Sequence, residues 1–310
     1  MLSSSSYAWF TSNRIVTINT LNVHVASTGG IEISADGTNW KSVLQLEDLY
    51  DVHDTTYITS VNQIPNEMQP VSTSKEVENG FLKMYYGVTE NNYDGYYILT
   101  STREHEVEEH GEEATGKFIA FDVFIKAHDD TDLYLTSKSG VTYVGENKSG
   151  IAAATRIAFV NEGTLPVGSD LANIQAMKGA TMDTVYMWEP NYDVHTATGV
   201  SNARDVYGIT TTENNATRII YDGVRSEISS TDEVLLTNSK ASMYPNFFRT
   251  VNVDYYTKEE FTDFVQVFSL KGGITKIRIY MWIEGQDVDC ENNASFADIN
   301  FDVQLTVNPA

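Results

Sequence analysis

The residues of this chain that could do chemistry are acidic clusters and one pair of histidines. The pair flanks a short acidic run, His105-Glu106-Val107-Glu108-Glu109-His110. A helical zinc-protease motif needs its two histidines four residues apart on one helix face. Here they are five residues apart, which is about 500° of helical rotation instead of about 400°. Together with the surrounding charge run, this spacing favours a solvated acidic loop and predicts no protease.

Other catalytic patterns are missing from the sequence. It contains no G-x-S-x-G motif, no phosphate-binding glycine loop and no dinucleotide fingerprint. The single cysteine, Cys290, lies between Asp289 and Glu291, and flanking carboxylates raise the pKa of a thiol, which is the wrong direction for a nucleophile. We therefore expect that the protein is not an enzyme.

Two acidic segments offer oxygen ligands of the kind that Ca²⁺ prefers. These carboxylates are Asp129, Asp130 and Asp132 in the first segment and Glu284, Asp287 and Asp289 in the second. Neither segment has the spacing of an EF-hand, and hydrated turn carboxylates are the alternative interpretation. Calcium is thus a hypothesis for either loop, and no other cofactor is expected.

The net charge of the chain makes some classes of binding partner unfavourable. The 310-residue chain carries 43 acidic against 20 basic residues, a net charge of −23, without a basic patch. Such a field repels phosphate backbones and anionic lipid headgroups, so no nucleic-acid partner is expected. No run of about 18 apolar residues is present, so the sequence predicts no membrane-spanning segment. One cysteine excludes a disulfide framework.

The spacing of apolar residues predicts the fold class. Alternation with a period of two dominates, and valine, isoleucine, threonine and aromatic residues fill these runs, as in β-strands. Helical signals are few and short. The sequence therefore predicts a mainly β protein, an antiparallel jelly roll or β-sandwich, with short helices in its insertions. We expect one domain over residues 20–310, with insertions near 45–78 and 190–242.

The N-terminal region, residues 1–19, is predicted to be an extended arm. Ile18 is out of phase with Leu21, Val23 and Val25, which indicates a break near Asn19 between two strand segments. The residues expected to make contacts through this arm are Tyr7, Trp9, Phe10, Ile15, Val16 and Ile18. The alternative use of this segment is an ordinary strand of the protein's own sandwich.

Both ends of the chain resemble one family of bacterial surface proteins. The mature start of TasA/camelysin proteins resembles the N-terminal part of this chain, namely Ala8-Trp9-Phe10-Thr11-Ser12-Asn13 followed by 15–18 and 20–25. The closing strands of those proteins resemble residues 283–305. The resemblance covers about 60 residues, and the Gly-Asp turn usual before the second strand of the family is not obvious here. It implies a secreted fibre subunit of a Gram-positive biofilm matrix, located outside the cell or at its surface.

The same resemblance implies a mode of assembly. In such pilus-like fibres the N-terminal arm of one subunit fills a strand gap in the next, which is donor-strand complementation. A head-to-tail contact of this kind does not close, so the expected partner is further copies of the chain in a homopolymer. Residues 1–8 are interpreted either as the tail of a removed signal peptide or as a flexible start.

Two other functions remain open from the sequence. A monomeric carbohydrate- or ligand-binding β-sandwich would use exposed tyrosines such as those at 85–86 and 96–97. A phage or virus structural protein would share the composition and the symmetric assembly.

Overall fold

The chain folds into β-sheets, as the alternating pattern predicts. The computed structural model describes residues 16–25, 30–50, 52–91, 97–107, 115–144, 150–191, 264–285 and 297–307, with shorter pieces between 195 and 255 and at 287, 289 and 290. In the first half of the chain the strands are β1 (Val16–Val25), β2 (Ile31–Ser34), β3 (Val43–Gln45), β4 (Glu67–Met68), β5 (Ser72–Glu78), β6 (Phe81–Asn91), β7 (Tyr97–Glu104), β8 (Ile119–Ala127), β9 (Thr131–Thr136) and β10 (Gly140–Tyr143).

The second half of the chain continues with longer strands and several short ones. These are β11 (Thr155–Leu165), β12 (Val185–Glu189), β13 (Thr212–Glu213), β14 (Ala216–Thr217), β15 (Asp222–Val224), β16 (Val234–Leu236), β17 (Phe248–Thr250), β18 (Asp254–Tyr255), β19 (Phe264–Leu270), β20 (Gly273–Ile283) and β21 (Ala297–Val307). The helices are short: α1 (Leu46–Tyr50), α2 (Val52–Thr55), α3 (Leu171–Gln175) and a 3₁₀ turn, Met182–Thr184.

Two large sheets form a β-sandwich, which confirms the predicted class. One sheet has seven strands in the order β19-β9-β21-β1-β3, with β10 and β4 added beside β21 and β1. The other has six strands in the order β18-β12-β11-β20-β8-β2. Apolar side chains from both sheets, such as Val23, Phe301, Phe121 and Ile279, share one buried cluster. The main core therefore lies between the sheets.

The six-stranded sheet is covered on its second face as well. Every residue of β20 is buried. Ile277 and Ile279 of this strand belong to the main core, whereas Tyr280 and Trp282 pack with Leu82 and other residues of the β5–β6 hairpin in a second cluster. Neighbouring residues of a strand point to opposite faces, so β20 is the middle of three layers.

The N-terminal strand differs from the predicted arm. β1 is a single strand from Val16, and its parallel pairing with β21 shifts register between Ile18 and Thr20. The predicted phase break is therefore a β-bulge inside one strand. Val16 and Ile18 are 0% and 9% exposed because their side chains pack in the main core, and at this end β1 lies between β21 and β4. Both residues belong to the protein's own core and not to an arm that ends at residue 19.

The remaining residues of the predicted arm lie outside the described residues. They are Tyr7, Trp9, Phe10 and Ile15.

The predicted insertion near 45–78 contains α1, α2, β4 and β5. It also supplies buried side chains to both clusters, including Leu49, Tyr57, Met68 and Val71. Of the second predicted insertion, 190–242, the structure describes only a few residues at its start and the short strands β13–β16.

None of the helices that the structure describes has the length and apolar character needed to cross a membrane.

Candidate functional site

The first candidate site lies where three neighbouring strands meet at one end of the six-stranded sheet. Because β11 is antiparallel to both β12 and β20, its first residues lie beside the last residues of those strands. Arg156 comes from the start of β11 and Glu189 from the end of β12. Asp287 and Asp289 come from the turn that follows β20. The strand order therefore places these four charged side chains close together at a buried end of the sheet.

Arg156 is the central cation of this site. Its side chain is fully buried and forms ion pairs with Glu189, at 2.6 Å, and with Asp287. The guanidinium also donates to the backbone carbonyls of Ala153 and Thr155 at 2.9 and 3.1 Å. A buried guanidinium needs such a full set of acceptors, because burying an unpaired charge is costly.

His195 and Asp289 form the second ion pair of the site. The Nδ1 atom of His195 lies 2.5 Å from one oxygen of Asp289. The other oxygen accepts from the backbone N–H and the hydroxyl of Thr196 at 3.0 and 2.6 Å. The same Thr196 hydroxyl oxygen accepts from the N–H of Gly199 at 2.9 Å and so caps the turn. Asp289 thereby ties residues 195–199 to the end of the sheet.

Two glycines leave room for this contact. A side chain at Gly199 would begin 2.2 Å from a carboxylate oxygen of Asp289. One at Gly150, whose φ is +77°, would begin 3.0 Å from the Cβ of Asp289. Both positions therefore require glycine for the turns to approach the carboxylate.

The burial and the charges of the site shift the pKa values of its groups. Burial raises the pKa of Glu189, and the nearby charge of Asp287 adds to this, against the opposing effect of Arg156. Burial lowers the pKa of His195, but its hydrogen bond with Asp289 and the charge of Asp287 outweigh this and raise the pKa to about 9. The imidazole is therefore cationic at neutral pH, paired with Asp289.

Some atoms of this site have no hydrogen-bond partner. They include the second carboxylate oxygen of Glu189 and the Nε2 atom of His195, both buried. Ligand atoms of His195, Asp287 and Asp289 all lie within 4.8 Å of one another, the only such group of three or more among the described residues. The arrangement can thus hold a cation.

The sequence predicted this acidic turn in part. Asp287 and Asp289 come together as expected, but Glu284 lies outside the group of three and accepts a hydrogen bond from the indole of Trp282 at 3.0 Å. His195 was not predicted as a ligand. It lies 94 positions from Asp289, and no local spacing signals their contact.

The other acidic segment, residues 129–132, makes its contacts with residues 266–271. Asp130 is exposed and forms an ion pair with Lys271 at 2.5 Å. Asp132, in β9, accepts from Gln266 and Ser269 of β19 at 3.0 and 2.6 Å. In the described part of the chain these carboxylates, with the exposed Asp129, form no three-ligand group.

A second charged cluster lies on the outer face of β20. Asp122 of β8 forms ion pairs with Lys276 at 3.2 Å and with Arg278 at 2.9 Å, and all three side chains are at most 5% exposed. Burial raises the pKa of Asp122, but these two cations outweigh it and lower the pKa to about 2. Tyr57 donates to Asp122 at 2.7 Å. One carboxylate thus serves two cations, and Tyr57 and the backbone carbonyl of Gln175 accept further hydrogen bonds from Lys276 at 3.0 and 2.8 Å.

A cleft of about 620 Å³ opens beside this cluster. Lys276 and Asp122 lie at its polar side, and its walls include the exposed Ile58 together with Phe81 and Leu171. The ammonium of Lys178 lies 4.4 Å from the centroid of the Phe81 ring. A cleft of this size and character can accept a small ligand.

The run His105–His110, for which the sequence predicts an acidic loop and no protease site, is described only in part. His105 is exposed, and Glu106 accepts a hydrogen bond from Tyr280 at 2.6 Å. His110 lies outside the described residues. Cys290 is a fully buried thiol in the main core.

The seven-stranded sheet presents a further surface at its β19 edge. Among the strands that the structure describes, β19 pairs only with β9. Its sequence, Phe264–Leu270, contains no charged residue and no proline, the residues that commonly protect an edge. Gln266 and Ser269 are its exposed side chains. Such an edge offers main-chain donors and acceptors to an added strand.

Comparison of the chain with family models, with curated proteins and with solved structures reveals no significant match.

Proposed function

We propose that this protein is the structural subunit of an extracellular filament and polymerises head-to-tail by strand addition. The donor would be the segment before β1, about residues 7–15, of one copy. The acceptor would be the β19 edge of the next copy. The protein would be secreted and would form the fibre at the surface of a Gram-positive bacterium, in agreement with the resemblance of its two ends to TasA/camelysin proteins.

The observation that carries this proposal is an uncharged edge strand on a strongly acidic protein. The chain has a net charge of −23, yet β19 contains no charged residue. Natural proteins usually place a lysine, a proline or an inward charge on an exposed edge to prevent pairing between molecules. An edge without these residues supports a role in such pairing.

The sequence of the donor segment supports the same contact. The first acidic residue of the chain is Glu32, although the chain contains 43 acidic residues. Residues 7–15 include Trp9, Phe10 and Ile15 and therefore carry apolar side chains without negative charge. Burying these three side chains would contribute about 5–9 kcal/mol before the cost of ordering the segment. That gain can offset the repulsion between acidic subunits.

The test is to compare the intact chain with two variants by electron microscopy and sedimentation velocity. One variant lacks residues 1–13, and the other carries Gln266→Lys with Ser269→Lys on the acceptor edge. New lysines beside Asp132 can replace its hydrogen bonds by ion pairs, so this variant should fold. We expect filaments from the intact chain and monomers from both variants.

A matched control is Val167→Lys, which adds a lysine at an exposed apolar position in a turn. This variant should form filaments like the intact chain. A synthetic peptide of residues 5–15 should bind the truncated chain and should not bind when the acceptor edge carries the lysines. Filaments from the truncated chain, or an intact chain that stays monomeric at every salt concentration, would refute the proposal.

The cleft of about 620 Å³ favours a second candidate function, a monomeric protein that binds a carbohydrate or another small ligand. Of the tyrosines considered for this role, Tyr85 is 2% exposed and therefore packs in the interior. A thermal-shift screen of sugars and small carboxylates on the monomeric truncated chain tests this function. Stabilisation by one of them that disappears in Phe81→Ala would support it.

A further inference from the structure

At the end of the six-stranded sheet, buried carboxyl groups outnumber the cations that the structure shows paired with them. Three buried carboxyl groups meet here, those of Glu189, Asp287 and Asp289. Arg156 and His195 are the cations that the structure shows in ion pairs with this group. A buried carboxylate without a compensating charge is costly, so such a group favours a further cation.

Unused ligand atoms point to the same conclusion independently of the charge. Glu189 is 2% exposed, and while one of its oxygens pairs with Arg156, the other has no hydrogen-bond partner. The side chain of His195 is 3% exposed, and its Nε2 atom also has no partner. Buried polar atoms without a partner are uncommon in native proteins and call for an explanation such as a bound ion.

We propose that His195, Asp287 and Asp289 bind one divalent transition-metal ion of the Zn²⁺ or Mn²⁺ type, and that His195 releases its proton to water on binding. Ligand atoms of these three residues lie within 4.8 Å of one another. Two ligands of a tetrahedral ion with bonds of about 2.1 Å are about 3.4 Å apart. A contraction of at most about 1.4 Å therefore brings the three ligand atoms around one ion.

The ligand set selects the class of metal. Calcium and magnesium take oxygen ligands, whereas an imidazole nitrogen beside carboxylates suits zinc, manganese and related ions. The calcium suggested by the carboxylates of this turn alone is thus replaced by a transition metal once His195 is included. The second carboxylate oxygens also have partners, as zinc sites commonly require: Thr196 donates to Asp289, and the N–H of Asp289 donates to Asp287 at 2.8 Å.

The position of the site indicates a structural role for the metal. His195 lies where the chain leaves β12 and enters 190–242, and the aspartates lie in the turn after β20. One ion bound by both would join the start of this long segment to the end of the sheet. The metal would therefore stabilise the folded subunit without taking part in a reaction.

The test uses the full chain, stripped of metal with a chelator and then titrated with Zn²⁺, Mn²⁺ or Ca²⁺. Calorimetry should show one equivalent of Zn²⁺ with a dissociation constant below about 10 µM. At one hundred times that constant, the stabilisation of about 2.7 kcal/mol should raise the melting temperature by several degrees. Calcium at the same concentration should give no such shift.

His195→Gln should weaken Zn²⁺ binding at least about tenfold. The matched control is His24→Gln, which removes a histidine that lies 3.4 Å from Asp302 on the half-exposed surface of β1 and should leave binding unchanged. Far-UV circular dichroism checks that each variant is folded, and Asp287→Asn replaces His195→Gln if the latter is not.

If neither variant folds, metal binding by the unmodified chain is sufficient to test the proposal. Tight binding of one Zn²⁺ with no response to Ca²⁺ supports the site. A Zn²⁺ dissociation constant above about 10 µM, an equal response to Ca²⁺, or unchanged binding in a folded His195→Gln variant overturns the proposal.

Discussion

Lys276 and Arg278 are buried, although the alternating sequence around them predicts that they are exposed to solvent. They alternate with Ile277 and Ile279 in β20, which is the pattern of a strand with one face in water. Both side chains are nevertheless buried, because the second face of β20 is covered and Asp122 supplies their counter-charge. A buried cation with a full set of partners looks the same in sequence as an exposed one.

Glu162 provides a pH-dependent test at the residue scale. It lies in β11 and accepts a hydrogen bond from the N–H of Ala180 at 3.1 Å. Burial raises its pKa from 4.5 to about 7, because the hydrogen bond from Ala180 and the charge of Lys276 only partly oppose the desolvation. The folded state therefore holds this proton more tightly than the unfolded chain does.

The stability that this proton contributes is fully present below about pH 4.5 and is lost as the pH rises through about 7. Glu162→Gln keeps an acceptor for Ala180 but cannot ionise. The free energy of unfolding of the variant, relative to the original chain, should therefore be higher at pH 8 than at pH 4, by on the order of 3 kcal/mol. Urea denaturation at both pH values measures this. An equal difference at the two pH values would contradict the raised pKa.

At the scale of the elements, β1 shows that a local residue pattern predicts a bulge but not the full length of the strand. The break near Asn19 was visible in the sequence, because a bulge reverses which residues face the core. The pattern did not reveal that the strand continues through the bulge. That depends on β21 and β4, which provide partners for Val16 on both sides.

Gly273, the first residue of β20, gives a prediction about an element boundary. Its φ is +145°, and a Cβ there would lie 2.4 Å from the backbone oxygen of Leu165 in the neighbouring strand. Gly273→Ala should lower the free energy of unfolding by about 1–3 kcal/mol. The control Gly140→Ala, where a Cβ meets nothing within 4 Å, should change it by less than about 1 kcal/mol. Similar values for the two variants in chemical denaturation would rule out this account of Gly273.

At the scale of the whole molecule, the distribution of charge matters more than its total. The net charge is −23, but the chain before Glu32 has no acidic residue and β19 has no charge. Subunits with this distribution repel one another over their surfaces while their proposed contact regions do not. Because salt screens the repulsion between the acidic surfaces, assembly of the proposed filament should depend on the ionic strength of the solution.

We predict that filament growth accelerates when NaCl is raised from about 10 mM to about 150 mM, because the screening length falls from about 30 to about 8 Å. The lag time of light scattering measures the effect, and the chain without residues 1–13 should show no growth at either concentration. Slower growth at higher salt would instead indicate that ion pairs hold the junction.

The sequence by itself determined the β class, the phase break in β1 and the position of the acidic turn after β20. Each of these depends on neighbours along the chain, where the alternation of a strand and the composition of a turn are directly visible.

Only the tertiary structure decided the burial of Lys276 and Arg278 and the meeting of His195 with Asp289. The first depends on a covering layer from residues 57–86, and the second joins positions 94 residues apart. Such contacts arise from which strand ends the sheet order brings together, and a local pattern carries no record of that order.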